Sequence, residues 1–386
     1  MVISGLVMPQ AEAVRVAVVS ESDLAHTNGV TNSVLRVEEE LQRAGHQTLI
    51  IAPESEGGTP ALGETTLSVA IPSYPQVRLG LARSARLEAI LADFGAEVVH
   101  LASPFVLGWQ ALAAARHLKL PTVAVYQTDM RAYAQRYGWA GASVLVDAHL
   151  RRLHGRATVN LVPSQHSLRQ LEELGVPEVH LWRRGVDLAR FNPQRRSEQF
   201  RQRLGAGKLI VGYVGRLAPE KQVEDLRVLS DLPGVQVVVV GDGPSRPGLE
   251  KLLDQAHFTG RLGGLELAEA VASFDVFVHT GESETFGQTI QEAHASGVPV
   301  VATGVGGPVD LVRSSFDGWL YRPGDLADLR RRGADLVGDN AKRRAFAQAA
   351  WHGVQGRSWA ALTAELVEHY HAAIARQRAA TASNRG

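Results

Sequence analysis

The stretch GESETFGQTIQEAHASGVPVV, Gly281–Val301, decides the fold of this chain. An apolar run at residues 275–279 leads into it and has the composition of a buried parallel strand. A polar loop follows at residues 281–287, and then a helical pattern, Gln288–Ser296, which a glycine closes. A second strand, Pro299–Ala302, begins at once. This order is typical of an open parallel α/β sheet, in which ligands bind at the carboxyl ends of the strands.

Two glutamates flank the start of that helix: Glu284 precedes it, and Glu292 lies just over one turn into it. Backbone N–H groups there lack helical acceptors and favour an anion, most naturally a phosphate. These groups belong to Phe286, Gly287, Gln288 and Thr289. A nucleotide-sugar fits this arrangement, with the sugar hydroxyls on Glu284, the pyrophosphate on the helix N-terminus and the ribose on Glu292. Two solvated surface acids are the alternative, which this spacing alone would favour.

A second charged loop follows the strand pattern Leu209–Val214, where Arg216 and Lys221 stand five positions apart. Two cations that converge on a pyrophosphate can stabilise the charge that builds on a leaving group. A pair of solvated surface cations is the alternative. The chain contains no Asp-x-Asp pair, which folds that hold pyrophosphate through a divalent ion normally need. We therefore expect no metal and no other cofactor, with Arg216, Lys221 and the helix N-terminus in the place of the metal.

These motifs resemble those of a known family. E-T-F-G-x-x-x-x-E-A at residues 284–293, followed by S-G-V-P-V-V, resembles the signature of the retaining glycosyltransferases of family 4. G-R-L-x-x-E-K at residues 215–221 resembles the phosphate clamp of that family. The resemblance covers about residues 14 to 375. It implies the α/β fold class GT-B, with two Rossmann-like domains that face a central cleft and a C-terminal helix that crosses back to the N-domain.

The resemblance also implies a domain organisation, which the 386-residue length and 45% hydrophobic content allow. The expected parts are an acceptor domain at 13–185, a linker at 186–207, a donor-nucleotide domain at 208–358 and the returning helix at 359–376. We expect residues 1–12 and 377–386 to be disordered. The first segment is short and has no basic region, and the second is polar with small side chains.

In the first domain, the family's loop after the strand Val14–Ser20 meets the donor phosphate and the acceptor. Gly29 is the glycine of this loop here, and Asn28 stands where many members carry another glycine, on the acceptor side. An ordinary turn glycine remains the alternative for Gly29. In the second domain, the segment around Arg261 resembles the one that binds the base of the donor.

The segment Tyr-Gln-Thr-Asp, residues 126–129, ends the predicted strand Thr122–Tyr126. Many members have histidine at Gln127, where it touches the donor sugar; glutamine can form the hydrogen bond but cannot titrate near neutral pH. The resemblance assigns Gln127 and Asp129 to the catalytic set with Arg216, Lys221 and Glu284. The aromatic side chains of this region form acceptor-side walls or pack in the core, namely Tyr126, Tyr133 and Tyr137.

Composition limits the possible partners. Forty basic residues balance forty acidic ones, so no global field recruits nucleic acid. The chain has no cysteine, which excludes disulfides and thiolate catalysis and is compatible with the cytoplasm. We predict an amphipathic helix at residues 78–94 with Arg78, Arg83 and Arg86 on its polar side. This face is either solvated or, as in relatives that glycosylate lipids, a peripheral contact with anionic lipid at the inner face of the plasma membrane.

The resemblance implies an enzyme that moves a hexose from a nucleotide-sugar to a glycolipid or glycan hydroxyl. The Tyr126–Asp129 segment is most similar to the actinobacterial GDP-mannose-dependent α-mannosyltransferases of lipoglycan assembly, so mannose is the expected sugar. A UDP-dependent enzyme with a glucose, N-acetylglucosamine or sulfoquinovose donor is an alternative. A sugar-nucleotide 2-epimerase would need additional acids and histidines, against which Gln127 counts. A non-catalytic nucleotide-sugar binding protein would bind the donor without turnover.

Overall fold

The computed structural model describes residues 12–24, 29–54, 63–71, 74–102, 104–129, 143–205 and 207–383. The chain divides into two compact units. The first comprises Met1–Tyr126, Arg152–Leu161 and Leu366–Gly386, and the second comprises Gln127–Arg151 and Val162–Glu365. Two largely parallel sheets with helices between their strands form the framework, in agreement with the predicted fold class.

The first sheet has eight strands in the order β4-β3-β2-β1-β5-β6-β7-β8. Its strands are β1 Arg15–Ser20, β2 Gln47–Pro53, β3 Gly63–Ile71, β4 Tyr74–Leu81, β5 Val98–Ala102, β6 Thr122–Val125, β7 Val159–Val162 and β8 Val179–Leu181. Pairing is parallel from β3 to β7, whereas β4 runs antiparallel beside β3. β1 and β5 to β7 are almost entirely buried, as their continuous apolar runs require.

The described residues up to position 154 contain four helices in chain order. They are α1 Gly29–Arg43, α2 Ser84–Phe94, α3 Val106–His117 and α4 Ser143–His154. The first unit's core packs the apolar faces of α2 and α3 against β1 and β5. His100 on β5 lies in this core, and its Nδ1 is 2.6 Å from the hydroxyl of Tyr370.

The second sheet has six strands in the order β11-β10-β9-β12-β13-β14. Its strands are β9 Leu209–Val214, β10 Val235–Val240, β11 His257–Gly260, β12 Val276–His279, β13 Val300–Thr303 and β14 Gly318–Tyr321. All five neighbouring pairs are parallel. The chain winds outward from β9 to β11, returns to β12 beside β9 and then winds outward in the other direction. This doubly wound order has a switch point between β9 and β12.

Helices cover both faces of the second sheet. In chain order the second half contains α5 Gln165–Glu173, α6 Glu198–Gly205, α7 Arg227–Ser230, α8 Arg246–Leu252, α9 Gly264–Ala272, α10 Gln288–Ala295, α11 Pro308–Leu311, α12 Leu326–Gly338, α13 Asn340–Gly353 and α14 Trp359–Ser383. Ser164 caps α5, since its Oγ accepts from the N–H of Ser167. None of the helices that the structure describes is long and apolar enough to cross a membrane.

Two sequence predictions are wrong. Residues 78–94 do not form one helix, because β4 extends to Leu81 and α2 begins only at Ser84. Apolar residues alternate with Arg78 and Gly80 here, and this period of two fits a strand paired with β3.

The tail also continues α14 to Ser383 instead of being disordered from residue 377. Its alanine, glutamine and arginine residues are strong helix formers. Residues 1–11 and 384–386 lie outside the described residues.

Candidate active site

The site is built at the switch point of the second sheet. The loop after β9 carries Arg216 and Lys221, and the loop after β12 carries Glu284. Because β9 and β12 are neighbouring parallel strands, both loops leave the sheet at the same edge. Residues that lie 63 positions apart in the sequence are thereby brought together.

An ion pair connects the two loops. Lys221 Nζ lies 2.7 Å from Glu284 Oε2, and both side chains are partly buried. His279, the last residue of β12, directs its Nε2 to the same carboxylate oxygen at 3.6 Å. The hydroxyl of Thr280 donates to the backbone carbonyl of Lys221 at 2.8 Å. One carboxylate oxygen of Glu284 is thus held between two nitrogen groups.

These contacts fix the charge states of the pair. Burial alone would raise the pKa of Glu284, but the ammonium of Lys221 and the ring of His279 lower that pKa well below its usual range. Burial alone would lower the pKa of Lys221, but the Glu284 carboxylate beside it raises that pKa above its usual value. At neutral pH the site therefore contains a carboxylate and an ammonium.

Close backbone packing sets the position of the Glu284 loop. The N–H of Gly307 donates to the carbonyl of Glu284 at 2.7 Å. A Cβ atom at Gly307 would lie 2.4 Å from Cα of Phe286, and one at Gly306 would lie 2.6 Å from the Glu284 carbonyl oxygen. Only glycine allows these two segments to approach so closely, which explains the glycine-rich loop after β13.

The helix α10 starts directly behind this loop with an open N-terminus. Gly287 precedes it with φ at 97°, and no side chain caps the helix. Among the residues that the structure describes, the N–H groups of Gln288 and Thr289 have no acceptor. The side chain of Phe286 is fully buried in the core, so only its backbone can face a ligand. The helix start therefore offers free donors and a positive dipole end, as the sequence predicts.

Two glutamine side chains attach α10 to the segment at residues 184–185. Gln288 Nε2 donates to the Gly185 carbonyl at 3.1 Å, and Gln291 Nε2 donates to the Arg184 carbonyl at 2.8 Å. Glu292 follows on the same helix and is only 9% exposed. Its burial raises the pKa of the carboxyl to about 7. This group exchanges its proton near neutral pH, which no sequence pattern indicated.

Gln127 also lies in the second unit and contacts the Glu284 loop. Its backbone carbonyl accepts from the hydroxyl of Thr285 at 2.9 Å. Its side-chain Oε1 accepts from Nη2 of Arg184 at 2.7 Å. Gln127 and Arg184 are both buried. These contacts connect Gln127 with the Glu284 loop and with Arg184.

The other predicted site residues have varied surroundings. Asp129 is buried, and its Oδ2 accepts from Gln170 Nε2 at 3.1 Å. Tyr126 is buried in the first unit and packs edge-on against His154. Arg261 is exposed directly after β11, at the far edge of the second sheet. Gly29 is the first residue of α1, in the first unit. Outside the described residues lie Asn28, Tyr133 and Tyr137.

Two residues of the site were not singled out from sequence. His279 is noticeable only as the polar end of an apolar strand beside the switch point, a position that favours ligand sites. Arg184 precedes the Gly-Val-Asp segment, and its burial could not be read from the sequence. Within the described part of the chain, no group of three or more histidine, aspartate or glutamate residues could hold a metal ion.

The arrangement suits a diphosphate ester of a sugar. Lys221 and the start of α10 supply cationic and N–H donors, and Glu284 supplies an ionised acceptor for hydroxyl groups. Arg216 lies on the same loop as Lys221, and its carbonyl accepts from the Tyr213 hydroxyl at 3.3 Å. A carboxylate held by two nitrogen groups is poorly placed to act as a base, because its pKa is low. Binding and stabilisation of negative charge are therefore the chemistry that this geometry supports.

Comparison with known sequences gives a consistent picture. Residues 27–190 match the family described as Glycosyltransferase Family 4, and residues 194–352 match the Glycosyl transferases group 1. A GDP-mannose-dependent alpha-mannosyltransferase of Mycolicibacterium smegmatis is 45% identical, with 94% of this chain and 98% of that protein covered. One from Corynebacterium glutamicum is 42% identical over 94% and 89%. A sulfoquinovosyl transferase of Arabidopsis thaliana is 35% identical over 92% and 73%.

Comparison with solved structures supports the fold. A sucrose-phosphate synthase from Thermosynechococcus elongatus superposes with a TM-score of 0.81 at 21% identity, with 94% of this chain and all of that chain covered. HepE of Anabaena, solved in complex with UDP and glucose, gives a TM-score of 0.73 at 19% identity over 92% and 99%. At these identities the likeness concerns the GT-B architecture alone.

Proposed function

Because this chain belongs to glycosyltransferase family 4, we propose that it is an α-mannosyltransferase that transfers mannose from GDP-mannose to an acceptor hydroxyl. The observation that carries the proposal is the Lys221–Glu284 pair beside the open N-terminus of α10, at the switch point of the sheet. The identity of 45% to a GDP-mannose-dependent relative over nearly the full length of both chains supports mannose as the sugar and GDP as the nucleotide.

In this proposal each group has a defined task. The carboxylate of Glu284 accepts hydrogen bonds from mannose hydroxyls, while Lys221 and Arg216 face the diphosphate. The N–H groups at the start of α10 bind phosphate oxygens, and Glu292 accepts from the ribose. Cations aimed at the diphosphate act mainly in the transition state, because negative charge grows on the leaving group as its bond to the sugar breaks.

The α linkage of GDP-mannose is kept in the product of an α-mannosyltransferase. We propose a reaction on one face of the sugar: the acceptor hydroxyl attacks the anomeric carbon as the GDP leaves. The proton of the hydroxyl passes to a phosphate oxygen of the leaving GDP, so no separate base is needed. The low pKa of Glu284 and the neutral amide of Gln127 agree with such a route, since neither group can take that proton readily.

For the acceptor we propose a glycolipid with a free sugar or inositol hydroxyl, presented at a membrane surface. For the donor site we propose binding without a divalent ion, with the cationic loop after β9 in that role. Calorimetric titration with GDP-mannose and GDP, in the presence of either EDTA or magnesium, tests the second point directly. An affinity that rises at least tenfold with magnesium would overturn it.

The decisive experiment for the function follows radiolabelled GDP-mannose into lipid-extractable product in the presence of membrane lipids. Glu284→Gln keeps the size of the side chain but removes its charge, and it should abolish transfer while the protein stays folded. Equal turnover of the variant and the wild type would contradict the assignment. Faster transfer from UDP-glucose than from GDP-mannose would instead support the UDP-dependent alternative, and binding without transfer to any acceptor would indicate a binding protein.

A further inference from the structure

Arg184 is a buried cation that the proposed reaction does not use. It lies in the second unit, is only 7% exposed, and its burial lowers the pKa of the guanidinium to about 10. The group is therefore still charged at neutral pH. Such a charge normally remains inside a protein only when an anion and a full set of hydrogen bonds compensate it.

The compensation is incomplete here. Arg184 Nη2 donates to the neutral side chain of Gln127, and Nε has no acceptor. In the described part of the chain no carboxylate forms an ion pair with this guanidinium. The negative charge of Glu284 raises the pKa of Arg184, but the Glu284 carboxylate forms its ion pair with Lys221, at 2.7 Å. The guanidinium of Arg184 therefore carries a positive charge that no carboxylate of the described residues contacts directly.

Hydrogen bonds from neighbouring side chains fix the backbone of the Arg184 segment and keep its side chain buried. Its carbonyl accepts from Gln291 Nε2, and the next carbonyl, that of Gly185, accepts from Gln288 Nε2. The guanidinium is connected through Gln127 to Thr285, the residue after Glu284. A second positive feature lies on the helix that holds these carbonyls, because the N–H groups of Gln288 and Thr289 at its start are without acceptors among the described residues. A buried cation without an anionic partner, on a segment attached to a helix whose first N–H groups are free, suits the binding of an anion.

We propose that Arg184 binds an anionic group of a substrate, either a phosphate of the donor or a carboxylate or phosphate on the acceptor. The proposal rests on the proposed transferase function, since it adds an oxyanion-binding residue to the same site. The guanidinium offers a planar set of donors that matches carboxylate and phosphate oxygens. Its side chain is bonded to Gln127, whereas Lys221 is bonded to Glu284, so the two cations have different partners in the site.

The test compares Arg184→Gln and Arg184→Lys with wild type, and uses Arg196→Gln as the matched control. Arg196 also lies in the second unit but has a carboxylate partner, Asp275, at 2.7 Å. Three quantities are measured: the Kd of GDP by calorimetry, the KM of an alkyl glycoside that carries a carboxylate, and the KM of its neutral counterpart. A thermal-shift titration with inorganic phosphate gives an anion readout that does not depend on mannosyl transfer.

For Arg184→Gln we expect a loss of about tenfold in one of the two affinities, as removal of one charge-assisted contact implies. A weaker Kd of GDP identifies the donor as the source of the anion. A raised KM for the anionic acceptor, with the neutral one unchanged, identifies the acceptor. Arg184→Lys should recover part of the loss, and Arg196→Gln should show none. Without ligand, the Tm of Arg184→Gln should equal or exceed that of wild type, because an uncompensated buried charge is gone.

Two results would overturn the proposal. One is an Arg184→Gln variant with unchanged GDP affinity, unchanged acceptor KM values and an unchanged response to phosphate. The other is a lower Tm with equal losses for anionic and neutral acceptors, which would show a structural role. If wild type neither binds GDP nor transfers mannose, the transferase proposal fails by itself. The phosphate titration of wild type against Arg184→Gln then still decides whether Arg184 binds anions.

Discussion

Lys221 and Glu284 determine each other's charge state, and this coupling can be tested by kinetics. Lys221→Met keeps the length of the side chain and removes the ammonium that lowers the pKa of Glu284. We expect turnover to fall by about 100-fold or more, as loss of a group that stabilises transition-state charge typically causes. The pKa of Glu284 then rises relative to wild type, so the acid limb of the kcat/KM profile should shift toward neutral pH.

The profile is measured from acidic to alkaline pH in parallel with Lys251→Met, in which an exposed lysine of α8 is replaced. That control should retain both the rate and the profile of the wild type. A Lys221→Met profile that falls uniformly, with its acid limb unmoved, would show that Lys221 acts without influencing the proton affinity of Glu284.

Glu292 should make the stability of the protein depend on pH. Its pKa of about 7 lies above the ordinary value of 4.5, so the folded state binds a proton more tightly than the unfolded state. Stability therefore falls as pH rises between these two values, by about 3 kcal/mol at most. Glu292→Gln lacks this effect, so the Tm of the variant should increase relative to the Tm of wild type as pH rises from 5 to 8.

Thermal melts at several pH values measure that difference, with Glu266→Gln as the control. Glu266 is an exposed residue of α9, and its substitution should leave the curve of Tm against pH parallel to that of wild type. Parallel curves for Glu292→Gln would mean that its carboxyl keeps an ordinary pKa in the folded protein.

At the scale of single residues, the sequence predicted which loops carry the groups of the candidate site, but not the electrostatics of these groups. Glu284, Lys221 and the free N–H groups of α10 follow from their positions on loops behind strands. The contact of His279 with Glu284 and the burial of Arg184 depend on which loops meet across the sheet. Tertiary packing determines these contacts between distant loops, and local sequence patterns contain no information about it.

The loop after β13 supports the Glu284 loop, and its tightest point is Gly307. Gly307→Ala introduces a Cβ atom 2.4 Å from Cα of Phe286, so one of the two loops must move. We expect mannosyl transfer to fall by more than tenfold and stability to fall by about 1–3 kcal/mol, the usual cost of overpacking. Gly248→Ala is the matched control: it lies on α8 with nothing within 4 Å of the new atom.

Activity and denaturant melts of both variants are the measurements. Gly248→Ala should retain activity and gain up to about 1 kcal/mol from the higher helix propensity of alanine. Unchanged activity of Gly307→Ala would mean that the position of the Glu284 loop does not depend on this contact.

Among the elements, buried strands were the easiest to predict. β1, β9 and β12 are continuous apolar runs that lie at the predicted places. A secondary-structure prediction failed where the same residues fit both the helical period of 3.6 and the strand period of two. Residues 74–81 satisfy a strand pattern, and pairing with β3 decides in its favour. The polar composition of the tail from residue 377 predicted disorder, but its residues have a high helix propensity and continue α14 to Ser383.

At the scale of the whole chain, the order of the motifs predicted two Rossmann-like halves, and the GT-B neighbours confirm this architecture. The predicted domain boundaries remain predictions. The boundary between the two units runs through α14, with Glu365 in the second unit and Leu366 in the first. A boundary inside one helix cannot be seen in a sequence, because the helical pattern is continuous across it.

The two units lead to a last prediction, for calorimetry. We expect two unfolding transitions, since each unit has its own core. Lys221 and the start of α10 belong to the second unit, so GDP should raise mainly one transition, by about 2.7 kcal/mol at a concentration of 100 times its Kd. Tyr370→Phe should lower the other transition, because it leaves Nδ1 of the buried His100 without its partner, at a cost of about 1–3 kcal/mol.

The two perturbations serve as controls for each other. GDP should stabilise Tyr370→Phe by the same amount as wild type, because the substituted hydroxyl belongs to the first unit and the proposed phosphate-binding groups belong to the second. A single transition that moves with both GDP and the substitution would contradict the prediction. It would mean that α14, whose residues belong to both units, makes them unfold as one cooperative body.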